Sequence, residues 1–208
     1  QDIRQHAFDQ FKPSYVSHIA SFTPGREACF VYNSFSASRA CSTGTAAVDA
    51  RARPVDAGWQ ALEGMQGELS ARVQALKPTH IITFVMGWNT EQWEALQNFR
   101  ELRLHLEAAA QERADTVFRP LYLGITWPSA GQPTIPGSDY PAKSGDADEI
   151  GMSWANVLLN RVLAPVKRAT GVRVVVVGHS FGARMTSRAA FSAPLLGERI
   201  EPVVDLLI

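Results

Sequence analysis

This sequence has few cysteines, no excess of one charge and no long hydrophobic run. Lysine plus arginine and aspartate plus glutamate both number 20, so no net positive field attracts nucleic acid. No apolar stretch approaches the ~20 residues that a membrane-spanning helix needs. We therefore expect no nucleic-acid partner and no transmembrane segment. The 208 residues are enough for one domain with a single core.

The two cysteines, Cys29 and Cys41, lie in a region rich in serine and alanine. They are either two buried or unpaired thiols or a disulfide that closes a loop in an exported protein. Neither has Cys or His neighbours at metal-ligand spacing, and we expect no metal and no cofactor. The start at Gln1 is neither a methionine nor a signal peptide. With the cysteine pair, it favours an exported or periplasmic location and a mature or trimmed chain.

Hydrophobic periodicity divides the chain into residues 1–57 and residues 58–208. The first part contains one short predicted strand at 29–32, a weak helical pattern before it and loop-like sequence after it. In the second part, apolar residues at steps of three and four alternate with short apolar runs. The predicted strands are 81–86, 121–126, 172–177 and 203–208. The predicted helices include 150–170, with a kink at Pro165, and 181–193, whereas 127–148, rich in Pro and Gly, is predicted as a long loop.

The alternation of strands and helices indicates right-handed parallel crossovers. Because the strands are apolar throughout rather than alternating, both faces of the sheet should be covered. We therefore predict an α/β fold for residues 58–208, with a mostly parallel sheet and helices on both faces, after a poorly defined N-terminal segment of residues 1–57. Functional residues are expected at the carboxyl ends of the strands.

Ser180 lies where the third of these predicted strands ends, within Gly178-His179-Ser180-Phe181-Gly182. A Gly-x-Ser-x-Gly sequence between a strand and a helix is typical of a sharp, strained turn that exposes a nucleophilic serine. Gly178 and Gly182 leave space that side chains would otherwise fill. We predict that Ser180 is a nucleophile. His179 should point away from it and is interpreted as a packed structural histidine.

An earlier loop, Met86-Gly87-Trp88-Asn89, follows the strand at 81–86. Gly87 permits a tight turn, so the N–H of Trp88 is predicted to form an oxyanion hole together with the N–H of Phe181. The alternative is an ordinary strand-to-helix turn. Asn89 is predicted to cap the helix that follows.

Aromatic residues near these loops predict an apolar acyl pocket lined by Trp88, Phe181 and Trp127, with Met86 beside them. Trp127 alternatively packs beneath the loop that follows it. Since 128–148 is mostly small and polar, we expect a soluble acyl substrate rather than bulk lipid.

Three segments, ITFVMGWNTEQWEAL, LGITWPSAG and VVVVGHSFGARM, together resemble the α/β-hydrolase superfamily, and within it a bacterial branch of largely uncharacterised serine hydrolases. The resemblance covers residues ~80–208. It implies an esterase-like serine hydrolase that acts on a carboxylic ester, thioester or related acyl group of a small molecule. Met86 stands where this superfamily usually has a histidine, which weakens the oxyanion assignment without removing it.

The resemblance also implies an acid and a histidine after the serine. No histidine follows Ser180, and Asp205 is expected to be capped by backbone or packed at the sheet edge. The remaining histidines are His6, His18, His80 and His105. We therefore expect a C-terminally incomplete fold, with the acid and the base supplied by a further C-terminal segment or a second chain. Two alternatives stay open: a non-catalytic hydrolase-fold binding or scaffold protein, and an acyltransferase in which a second nucleophile replaces water.

Overall fold

The computed structural model describes residues 18–22, 29–32, 54–130, 137–197, 199 and 202–208. The described strands are β1 (His18–Phe22), β2 (Cys29–Tyr32), β3 (His80–Val85), β4 (Pro120–Thr126), β5 (Arg173–Gly178) and β6 (Leu206–Leu207). They form one sheet in the order β2-β1-β4-β3-β5-β6. β4, β3, β5 and β6 are parallel, whereas β1 is antiparallel to both of its neighbours.

Six α-helices accompany the sheet in the described part of the chain. They are α1 (Pro54–Leu76), α2 (Gln92–Glu112), α3 (Tyr140–Met152), α4 (Trp154–Val157), α5 (Ala164–Thr170) and α6 (Phe181–Phe191). A π-helical segment, Leu158–Leu163, joins α4 to α5, and a 3-10 turn, Ala193–Leu196, follows α6. None of the described helices combines the length and the apolar character that crossing a bilayer requires.

Helices cover both faces of the sheet because successive strand residues face opposite sides. In β3, Ile81 and Val85 belong to a core that also includes side chains of α1, α3 and α6. Ile82 and Phe84 instead pack with Phe99 of α2 on the other face. The predicted α/β architecture, with a mostly parallel sheet and helices on both faces, is confirmed.

The two N-terminal strands extend this sheet at one edge. β2 lies at the predicted position, but β1 occupies residues where the sequence shows only a weak helical pattern. β1 is specified by its neighbours, since it pairs with β4 on one side and β2 on the other. Cys41 lies outside the described residues, so the disulfide with Cys29 stays a prediction.

Helix α3 corrects the prediction of a continuous loop over 127–148. Pro141, one of the prolines of this segment, lies in the first turn of α3, where its missing N–H costs no hydrogen bond. Ala147 and Ile150 are buried against α6. Tertiary packing therefore stabilises a segment whose own helix propensity is low.

The predicted helix over 150–170 is interrupted at Ser153, which the sequence did not predict, and it changes to a π-helical segment just before Pro165, where a kink was predicted. Ser153 has φ −109° and ψ −95°, outside the helical range. Ahead of Pro165, the N–H of Ala164 donates to the carbonyl of Leu159 five residues earlier. This wider turn accommodates the proline, which cannot donate and whose ring crowds the preceding turn.

We expect Gly151→Ala to destabilise the protein by about 1–3 kcal/mol. A Cβ at this position would lie 2.6 Å from the carbonyl oxygen of Met185 and 2.8 Å from the Cβ of Arg188, so α3 would have to move away from α6. Denaturant unfolding followed by tryptophan fluorescence measures the change.

The matched control is Gly145→Ala in the same helix, where an added Cβ meets no heavy atom within 4 Å. This variant should gain about 0.5–1 kcal/mol, because alanine favours a helix interior over glycine. Equal effects of the two substitutions would contradict the close contact between α3 and α6.

Candidate functional site

Ser180 occupies a sharp turn between the end of β5 and the start of α6. Its backbone has φ 54° and ψ −119°, and the residue is exposed. A non-glycine residue with positive φ is strained, and such strain persists only where the surrounding structure enforces it. The turn therefore presents the Ser180 hydroxyl at the carboxyl edge of the sheet.

Two glycines allow this turn to fit against β3 and α6. A Cβ at Gly182 would lie 2.3 Å from the carbonyl oxygen of Val85, and one at Gly178 would lie 2.5 Å from the Cα of Ala183. The N–H of His179 also donates to the Val85 carbonyl, at 2.9 Å. The start of α6 is thus held in direct backbone contact with the end of β3.

The loop after β3, residues 86–90, lies directly against Ser180. A Cβ at Gly87 would be 2.8 Å from the Cβ of Ser180, so only glycine permits this approach. Within the described residues, neither the N–H of Trp88 nor that of Phe181 has a hydrogen-bond acceptor. Phe181 is the first residue of α6, where helix N–H groups are free and the helix dipole is positive. Of these two amides without a described acceptor, Phe181 directly follows Ser180 in the chain, and Trp88 directly follows Gly87, which contacts Ser180.

Buried polar contacts from the segment after β4 fix the 86–90 loop. The indole of Trp127 donates to the carbonyl of Met86 at 2.8 Å. Ser129, which is 1% exposed, donates to the carbonyl of Thr90 and accepts from its N–H. The carbonyl of Ser129 accepts from the N–H of Asn89. Sequence reasoning missed Ser129, because these partners lie about 40 positions apart in the chain.

Trp127 and Met86 are both buried, at 4% and 9% exposure. For Trp127 this is the packed alternative that the sequence left open, and Met86 packs with the residues that contact α2. A pocket role for these two side chains stays a prediction. Asn89 has φ 58° and is not a helix cap; the cap of α2 is Glu91, whose N–H donates to Glu94.

An aromatic cluster of Trp88, Tyr140 and Phe181 lies beside the serine. Tyr140, the first residue of α3, packs edge-on against Trp88 with ring centroids 5.2 Å apart, and its centroid lies 4.7 Å from that of Phe181. The indole of Trp88 donates to Asp139 at 3.4 Å. Sequence analysis missed Tyr140 because it placed this residue in a loop.

Ion pairs hold α3 against α6. Asp148 accepts two hydrogen bonds from Arg184, at 2.7 Å and 2.5 Å, and one from Arg188 at 3.0 Å. The hydrogen bond from Arg184 is the largest influence on the Asp148 carboxyl and, with Arg188, it lowers the pKa below the ordinary value of 3.8. Asp148 therefore stays ionised under mildly acidic conditions.

A buried lysine ties α3 to the segment after β4. Lys143 is 8% exposed, donates to the carbonyl of Pro128 at 2.6 Å and lies 3.2 Å from the carboxylate of Asp146. A buried ammonium group needs such partners, since burial penalises an unpaired charge. The start of α3 is therefore anchored over the same edge of the sheet as Ser180.

None of His80, His105 and His179 is hydrogen-bonded to Ser180 in the described contacts. His179 is exposed, so the prediction of a packed histidine is wrong; its ring instead lies beside Gly87 at the surface. His80 starts β3 at the opposite edge of the sheet, and His105 is exposed on α2. His18 begins β1, three strands from β5, which corresponds to roughly 14 Å at the usual strand spacing.

The described contacts of Asp205 are with β5 and α5 and not with Ser180. Its carboxylate accepts from the N–H of Val174 at 2.7 Å and pairs with Lys167 at 2.8 Å. Partial burial acts to raise the pKa of Asp205, but the hydrogen bonds from Lys167 and Val174 lower it below the usual range. These contacts agree with the expectation of a backbone-bonded edge residue. In the described part of the chain, no group of three or more His, Cys, Asp or Glu is placed to hold a metal ion.

Comparison with known families agrees with this geometry. Residues 62–191 match a family described as alpha/beta hydrolase of unknown function (DUF900). The matched segment is more than half of the chain and contains both the Ser180 turn and the 86–90 loop. The chain therefore belongs to this α/β-hydrolase family. No curated protein and no solved structure matches the chain.

We expect Asp148→Asn to lower the stability at neutral pH, with a deficit relative to wild type that shrinks as the pH falls. Because the folded-state pKa of Asp148 is lowered, its contribution is fully present above the ordinary value of 3.8 and is lost as the pH falls through the folded-state value. Urea unfolding at neutral pH and in steps to about pH 2.5 measures the difference.

Glu112→Gln is the control, since it removes a carboxylate from the last turn of α2 that forms no ion pair among the described residues. It should show no comparable dependence on pH. A deficit for Asp148→Asn that stays constant down to the lowest pH would show that the ion pairs with Arg184 and Arg188 do not stabilise the fold.

Proposed function

We propose that the protein is a serine hydrolase in which Ser180 attacks the carbonyl carbon of a small ester or thioester. One observation carries this proposal: an exposed serine on a strained turn, beside the amides of Phe181 and Trp88, which have no acceptor in the part of the chain that the structure describes. Strained, exposed side chains of this kind cluster at active sites. The turn matches the strand-to-helix geometry that activates serine in α/β hydrolases.

In this mechanism, the Oγ of Ser180 forms a bond to the carbonyl carbon while its proton passes to a base. The carbonyl oxygen becomes an oxyanion and accepts hydrogen bonds from the amides of Phe181 and Trp88. Expulsion of the alcohol or thiol leaves an acyl-serine, and water then releases the acid. Losing one oxyanion donor typically costs about 100-fold to 1,000-fold in kcat.

The proposal assigns the base to a group outside the described residues. His80, His105 and His18 lie too far from Ser180, and His179 makes no hydrogen bond to it among the described contacts. A histidine from another segment or from a second chain, as the sequence analysis expects, would complete the site. Without that base, Ser180 would supply the nucleophile and the two amides would stabilise the oxyanion.

A small, soluble substrate fits the surroundings of Ser180. The aromatic cluster supplies an apolar surface next to the serine. Around it, the exposed positions in the first two turns of α3 besides Tyr140 are Pro141, Ala142 and Gly145, which present no run of large apolar side chains. A lipase-type lid would present a more apolar surface to the membrane.

A second candidate function is a non-catalytic binding protein that keeps the hydrolase fold. The observation in its favour is that none of His80, His105 and His179 is hydrogen-bonded to Ser180 in the described contacts. The two candidates differ in one property, which is the reactivity of the Ser180 hydroxyl.

We expect a fluorophosphonate probe to label the full-length protein once, at Ser180. Such probes react with activated serines because the phosphorus centre imitates a tetrahedral carbonyl intermediate. Mass spectrometry of the intact protein and of its peptides measures the stoichiometry and the position of the label. Ser180→Ala should abolish the labelling.

Ser187→Ala is the matched control, because Ser187 is an exposed serine in the same helix that donates only to the carbonyl of Ala183. This variant should be labelled like wild type. Failure of the wild-type protein to react, or labelling that persists in Ser180→Ala, would favour the binding protein over the hydrolase.

A further inference from the structure

We propose that Tyr140 is the specificity-determining wall of the Ser180 site, which selects substrates with an aromatic or other flat apolar group next to the reacting carbonyl. This inference rests on the proposed function and names its substrate class. It concerns a residue of α3, outside both the turn and the 86–90 loop.

Tyr140 contacts the side chains of the two residues whose amides flank the serine. Its ring lies 4.7 Å from the ring of Phe181 and 5.2 Å from that of Trp88, centroid to centroid. Through these contacts α3 is fixed beside the position where a carbonyl oxygen would bind. A group attached to that carbonyl therefore has Tyr140 as a neighbour.

Among the three aromatic residues, Tyr140 offers the most accessible surface. It is 49% exposed, whereas Phe181 is 6% exposed. Phe181 is already buried in the fold. A bound substrate would therefore remove the most aromatic surface from water by packing on the exposed side of Tyr140. Aromatic pairs are worth about 0.5–1.5 kcal/mol beyond their burial, which corresponds to roughly twofold to tenfold in a rate constant.

The ring is held in place before a substrate binds. Asp139, its chain neighbour, accepts from the indole of Trp88. Pro141 follows it in the first turn of α3, and Lys143 anchors that turn to the carbonyl of Pro128. A fixed wall loses little conformational entropy on binding, so the contact energy appears as selectivity.

The test compares two sulfonyl fluorides that differ only in the aromatic ring: phenylmethanesulfonyl fluoride and methanesulfonyl fluoride. In both, the Oγ of the serine forms a bond to sulfur, fluoride leaves and the serine proton is released. The ratio of the two second-order rate constants, from mass spectrometry of the intact full-length protein over time, cancels the intrinsic reactivity of Ser180. Wild type should prefer the aromatic reagent.

Tyr140→Ala should lower this ratio by about twofold to tenfold. Tyr140→Phe should keep it, since the ring and not the hydroxyl makes the contact. Phe191→Ala is the matched control: it removes an aromatic side chain, 70% exposed, from the far end of α6 and should leave the ratio unchanged. Thermal unfolding verifies that each variant is folded.

The outcomes separate this inference from the proposed function. If neither reagent modifies wild type at Ser180, the hydrolase proposal fails and the inference fails with it. If wild type reacts but Tyr140→Ala keeps the same ratio, the hydrolase proposal stands and the role of Tyr140 is refuted. A ratio that also falls in Tyr140→Phe would assign the effect to the hydroxyl and overturn the aromatic wall.

Discussion

The close backbone contact between β3 and the start of α6 is the constraint on which the site depends. Glycine at 182 lets α6 begin against the carbonyl of Val85, and glycine at 87 lets the following loop touch Ser180. With side chains at these positions, helix and strand would separate. The strained φ of Ser180 costs on the order of 1–3 kcal/mol. It persists because β5 and α6, both in contact with β3, fix the two ends of the turn.

Buried polar groups also hold the 86–90 loop and α3 in place beside the turn that the glycines allow. The 86–90 loop is held by hydrogen bonds from Ser129 and Trp127 rather than by regular secondary structure. Lys143 extends the same scheme to α3. Hydrogen bonds shielded from water are strong and directional. They can hold two loops and a helix in one arrangement without crowding the serine.

The parts that could be predicted from the sequence are those encoded locally. Continuous apolar runs identified β3, β4 and β5, and the spacing of Gly178, Ser180 and Gly182 identified the turn. The parts that were missed depend on distant partners. α3 forms because it packs on α6, and Ser129 matters because it contacts a loop about 40 positions earlier. His179 was expected to be packed, yet a turn that exposes Ser180 also brings its neighbour to the surface.

The choice between a hydrolase and a binding protein turns on the residue at the strained position. Glycine adopts positive φ at little cost, whereas serine does so at a steric penalty. In a protein that used the carboxyl edge of the sheet only to bind a ligand, glycine at position 180 would relieve the backbone strain. The only group lost would be the serine hydroxyl. The described contacts of Ser180 give that hydroxyl no structural hydrogen bond, since only its carbonyl accepts from Arg184. A strained serine without a structural partner favours chemistry at its oxygen, and hence the hydrolase.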